Sequence, residues 1–95
     1  MSDGRSRRAV RHEEVVGRLT AFLVDRLLDQ RAVRPDLNLY AAGYIDSLRA
    51  IDFANFVEAE YGVLLTEEEL DRSYPTLRAV AARICAVLAG SEEEP

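Results

Sequence analysis

Val15, Val16, Leu19, Phe22, Leu23 and Leu27 recur three and four positions apart, the period of an amphipathic helix, and predict a first helix from His12 to about Gln30. Glu13 and Glu14 fall in its first turn and Arg26 and Arg31 near its end, as the helix dipole favours. From Arg31 to Ile45 that period is lost and Pro35 and Gly43 appear, which predicts a long loop pinned to the core by Leu37, Leu39 and Tyr40. Gly43 supplies turn freedom and a short polar side chain just after it caps free amides. A second helix is therefore expected to open at Asp46 or Ser47, run to about Tyr61 and stop at Gly62. Thr66 and Glu69 stand at capping-box spacing, but Ser73, Tyr74 and Pro75 end that third helix within two turns. Thr76 caps a last helix whose Leu77, Val80, Ala81, Ile84 and Leu88 form one stripe, with a stop expected at Gly90. No segment alternates as a strand does. The expected fold is all-α: a small four-helix bundle of three longer helices and one short one, with a long loop between helices one and two. Residues 12–90 make the single domain, between a flexible basic arm over 1–11 and a flexible acidic tail over 91–95.

A wheel at about 100° per residue puts Ala50, Phe53, Ala54, Val57 and Tyr61 on one side of the second helix, an arc sufficient for the core. Leu48 and Ile51 fall away from that arc, beside Asp52, Asn55 and Ala59. Two arrangements satisfy them: another element covers them, or they form an exposed patch, ringed by carboxylates, on which partners dock.

Composition narrows the function. The 95 residues and a 48% hydrophobic content make one domain with a modest core, too small for a large substrate pocket. The net charge of −5 argues against nucleic acid as the main partner and favours basic protein surfaces. All the basic residues are Arg, a bias that hints at a GC-rich bacterial source and says nothing of function. Residues 1–34 hold eight Arg and five acids, whereas 46–71 hold eight acids and only Arg49. The second segment is a local anionic surface, whether a merely solvated face or a docking one. No apolar run reaches the roughly 18 residues of a membrane span or resembles a signal peptide, so a cytoplasmic location is expected.

Gly43-Tyr44-Ile45-Asp46-Ser47-Leu48, opening a helix that ends in Glu58-Ala59-Glu60-Tyr61-Gly62-Val63, resembles the acyl carrier proteins, whose Asp-Ser-Leu motif receives a 4′-phosphopantetheine arm on its Ser. The resemblance spans roughly residues 15–90 and includes the helix order, the long first loop, the acidic second and third helices and the Tyr74-Pro75-Thr76-Leu77 approach to the last helix. It implies that Ser47 is the attachment point. It also implies that a separate phosphopantetheinyl transferase moves the arm from coenzyme A, and that an acyl- or aminoacyl-loading ligase or an acyltransferase charges the terminal thiol as a thioester. By the same resemblance Asp46 assists recognition by the transferase, a role compatible with capping the helix. Leu48, Ile51, Asp52, Glu58 and Glu60 are expected to dock the downstream biosynthetic enzymes, charge steering and apolar groups completing the contact. A helix start suits the arm, because unpaired backbone amides and the positive end of the dipole favour a phosphodiester there.

Two positions depart from the family. Arg49 stands where fatty-acid carriers commonly place an acidic or polar residue, and Asn55 stands on the outward stripe where many place an apolar one. Tyr44-Ile45 is closer to the fatty-acid, discrete polyketide and D-alanyl carriers than to peptidyl ones. The favoured function is a freestanding, monomeric carrier in a specialised bacterial pathway such as polyketide or other natural-product biosynthesis. A peptidyl or D-alanyl type of aminoacyl carrier is the alternative within the family. Outside it stands a helical adaptor that keeps the acidic face and never carries an arm.

No enzyme is expected. Ser47 lacks a Gly-x-Ser-x-Gly elbow, and His12, the one histidine, sits at the start of the first helix. His12-Glu13-Glu14-Val15-Val16 has Val16 where a zinc protease needs its second His, and one Cys with one His builds no usual zinc site. Cys85 is expected to be a small core residue.

Overall fold

A computed structural model describes residues 11–26 and 32–93, the last few, 91–93, by backbone alone. Its helices are α1 (His12–Arg26), α2 (Ser47–Tyr61), α3 (Glu67–Arg72) and α4 (Leu77–Glu93), and among the described residues they are the whole of the regular structure. The expected end of helix one at Gln30, the contributions of Leu27 and Arg31, the arm up to Val10 and the last residues of the acidic tail lie outside the described residues.

One core joins all four helices and the long loop. Val15, Leu19 and Leu23 of α1, Ala50, Phe53 and Val57 of α2, Leu70 of α3, and Leu77, Val80, Ala81 and Ile84 of α4 are buried together. Phe53 is the largest of the fully enclosed side chains, and burying such a ring is worth about 1.5–3 kcal/mol. Leu88 and Cys85 pack against the edge of this core, so Cys85 is peripheral, half-buried and not fully enclosed.

The helix ends follow local chemistry. Gly62 stops α2 in the left-handed region at φ 71°, its amide returning to the Glu58 carbonyl at 2.8 Å. Thr66 and Glu69 form both halves of the capping box, each bond 3.0 Å long. The Thr76 hydroxyl accepts from the Ala79 amide at 3.1 Å and so starts α4. Gly90 does not stop α4, which continues to Glu93. Glycine ends a helix when its backbone turns left-handed; among the described residues the positive-φ glycines are Gly43 and Gly62, and Gly90 only lowers helix propensity, by about 1 kcal/mol.

The long loop is anchored by its backbone and by residues at its end. Leu39 is fully buried, while Leu37, expected beside it, is 40% exposed. Tyr44 and Ile45 supply the missing apolar anchor, each 3% exposed. The Tyr44 hydroxyl accepts from the Arg34 amide at 3.0 Å and donates to the Ala32 carbonyl at 3.2 Å, so the ring is buried with its polar end satisfied. Across the molecule, Leu39 N donates to Pro75 O at 2.7 Å and Arg78 N to Pro35 O at 3.2 Å, tying the loop to the start of α4. Asp36 and Arg78 add an ion pair at 2.6 Å.

Candidate functional site: the start of helix α2

Gly43, at φ 79°, makes the turn that sends Tyr44 and Ile45 into the core, and the next residues emerge at the surface. Asp46 is the N-cap in extended conformation, and its Oδ1 accepts from the Arg49 amide at 2.9 Å. Ser47 is therefore the first residue of α2, and it is exposed. The first intrahelical bond runs from Ala50 N to Asp46 O at 2.7 Å, so the amides of Ser47 and Leu48 precede the ladder at the positive end of the dipole. A serine oxygen in this position is accessible for esterification, and those amides suit a phosphodiester attached to it. The residues fit a phosphate-linked arm.

Leu48 is 79% exposed and Ile51 52%. Leu48 and Ile51 are thus not covered by another described element. They line a shallow depression of about 380 Å³ together with Arg49, Asp52 and Asn55. Glu58 is exposed on the same helix. Asp52 and Glu60 have a different status from the one their sequence positions suggest. Arg26 of α1 bonds Asp52 through Nε at 2.9 Å, and Arg18 of α1 pairs with Glu60. Between these ion pairs Phe22 stacks on Phe56, ring centroids 4.3 Å apart, and the Arg26 guanidinium lies 4.4 Å from the Phe22 centroid. The three pairs step by one helical turn in opposite directions along the two helices, as antiparallel neighbours require. The signal was present in sequence, because Arg18, Phe22 and Arg26 share the spacing of Asp52, Phe56 and Glu60, but a wheel drawn on α2 alone does not reveal it.

His12 begins α1, and its Nε2 lies 3.2 Å from the Arg78 carbonyl. Among the described residues no group of His, Cys, Asp and Glu is arranged to hold a metal ion.

Across residues 18–84 the chain matches the family model described as phosphopantetheine attachment site. The chain belongs to this family of acyl carrier protein-type carriers. It is a phosphopantetheine-carrying protein, and its cofactor is 4′-phosphopantetheine, held covalently. Carriers of this family are typically non-catalytic and interact with a phosphopantetheinyl transferase and with biosynthetic enzymes. The matched span contains the loop, all of α2 and α3, most of α1 and the first half of α4. No curated protein and no solved structure matches the carrier. No helix among the described residues is long and apolar enough to cross a membrane.

Proposed function

We propose that Ser47 is the residue that takes the arm, and that this monomeric, cytoplasmic, non-catalytic protein carries acyl or aminoacyl intermediates between the enzymes of a specialised bacterial pathway. The carrying observation is the exposed Ser47 at the first position of α2, held outward by the buried Tyr44-Ile45 pair behind it. When bound, 4′-phosphopantetheine supplies a thiol on which a carboxylic acid is held as a thioester. The chain's own residues present and orient. Ser47 offers its hydroxyl oxygen, Asp46 fixes the first turn through its bond to the Arg49 amide, and the amides of Ser47 and Leu48 would hold the phosphate. No acid, base or metal is required of the carrier itself; the transferase would take the hydroxyl proton as the Ser47 oxygen replaces 3′,5′-adenosine bisphosphate at the pyrophosphate of coenzyme A.

Leu48, Ile51, Asp52, Glu58 and Glu60 form the docking face in this proposal, with Leu48 and Ile51 supplying its apolar centre. Asp46 has two roles, as the cap and as a charge read by the transferase. The departures at Arg49 and Asn55 favour a dedicated pathway over exchange with housekeeping fatty-acid enzymes.

Incubation with coenzyme A and a broad-specificity phosphopantetheinyl transferase, followed by intact-mass measurement, tests the attachment. The wild type gains one arm and Ser47→Ala gains none while keeping its helix content. Arm addition to the Ser47→Ala variant, or an unmodified wild type, rejects Ser47 as the site; the second result turns the assignment toward a helical adaptor.

A further inference from the structure

The docking face carries its own counterions. Of its three carboxylates, Asp52 is held by Arg26 and Glu60 by Arg18, leaving Glu58 with no ion-pair partner among the described residues. An isolated surface pair is worth little, because two long side chains must be ordered to make it. Here much of that ordering is supplied by other contacts. The Arg26 guanidinium lies over the Phe22 ring, Phe22 is stacked on Phe56 and tilted against the buried Phe53 at 6.1 Å, and Asp25 adds a bond to Arg26 at 3.1 Å. Arg26 is thus attached to the same aromatic contact that joins α1 to α2, and Arg18 lies one turn before Phe22 on the same helix.

We propose that Arg18 and Arg26 mask the acidic side of α2, so that this carrier selects partners presenting an apolar surface to Leu48 and Ile51 and a basic group to Glu58, in preference to partners presenting a row of basic groups. The proposal rests on the assignment of Ser47 and this face as the working site. A partner with a row of basic groups must displace Arg26 and Arg18 to reach Asp52 and Glu60, and it meets two like charges as it approaches. A partner with an apolar surface meets no such cost, since Leu48 and Ile51 are already uncovered.

The test is kcat/KM for arm addition by a phosphopantetheinyl transferase whose docking surface is basic, at low ionic strength. Arg26→Gln is compared with Arg83→Gln, which removes the same charge from α4 and the same kind of ring contact, Arg83 lying 5.8 Å from the Tyr74 centroid. Arg26→Gln is expected to raise kcat/KM about fivefold over Arg83→Gln, the effect of one uncovered charge meeting an opposite one in water. Salt near 1 M abolishes the difference, because the screening length there is about 3 Å. In an Asp52→Asn background the gain is smaller, because only the repulsion by Arg26 is left to remove. Equal values for Arg26→Gln and Arg83→Gln, or a gain of undiminished size without the Asp52 charge, overturn the masking proposal alone. A wild type that gains no arm overturns it together with the Ser47 assignment on which it rests.

Discussion

The two sides of α2 use the same kinds of residue to opposite ends. On one side Ala50, Phe53 and Val57 are fully buried; on the other Leu48 is 79% and Ile51 52% exposed, a few residues away on the same helix. The buried side is met by α1, α3, α4 and the loop, whereas the exposed side begins beside Ser47 and carries no covering element among the described residues. The contrast teaches that hydrophobicity alone does not separate a residue that builds the core from one left at the surface: position on the wheel does.

Truncation should separate the two sides most sharply at Phe53. Phe53→Ala opens a cavity in the centre of the core and is expected to cost about 3–5 kcal/mol, measured by urea unfolding. For a domain whose whole stability is about 5–15 kcal/mol, that is a large fraction. Leu48→Ala should do the reverse. It leaves stability within about 0.5 kcal/mol, because the side chain is 79% exposed, yet lowers transferase kcat/KM about tenfold if the side chain is an anchor of the contact. A stability loss at Leu48 comparable to that at Phe53 would erase the distinction. Asp46 lies at the border between the sides, and two substitutions divide its roles. Asp46→Ala loses the bond to the Arg49 amide and about 1 kcal/mol, whereas Asp46→Asn keeps the cap and loses only the charge. Arm-addition kinetics that fall equally in both variants, with stability lost in Asp46→Ala alone, assign the charge to recognition.

The smallest effect is one of pH and belongs to the inner side. Burial pushes the phenols of Tyr40 and Tyr61 up from their usual 10.0, Glu67 adding to the shift at Tyr40 and Arg18 opposing it at Tyr61. Burial likewise raises the Cys85 thiol from its usual 9.0. Each group ionises at lower pH when unfolded than when folded, so each contributes its stabilisation fully below its unfolded value and loses it as pH rises through the folded one. Thermal unfolding should therefore show a stability constant through neutral pH that starts to fall near pH 9 and declines further above pH 10. Tyr61→Phe should flatten the upper part of that decline.

Most of the helical architecture was legible because each element carries its own local signals. Thr66 with Glu69, Gly62 after Tyr61, and Asp46 before Ser47 each fix a boundary through atoms a few residues apart. The period of α1 and α4 named their buried stripes for the same reason. Local signals fail where the deciding partner is distant in the chain. Leu37 and Leu39 look alike in sequence, yet only Leu39 is enclosed, beneath a loop whose path is set by bonds to Pro75 and Arg78. Tyr44 and Ile45 lie within a motif that draws notice for its chemistry, and their packing is not visible there. The ion pairing at the candidate site is hidden for the same reason: Asp52 and Glu60 are acidic in sequence, and only the pairing of α1 with α2 shows where Arg26 and Arg18 place their guanidinium groups.

The two backbone bonds between the loop and the start of α4, Leu39 N to Pro75 O and Arg78 N to Pro35 O, use peptide groups whose chemistry is common to nearly all residues. Such seams are indifferent to side-chain identity. Outward-facing loop positions such as Leu37 and Ala41 can therefore diverge or accept a reporter dye without moving Ser47, whereas a chimera that joins the loop of one homologue to the final helix of another keeps the stitching and exchanges only the decoration.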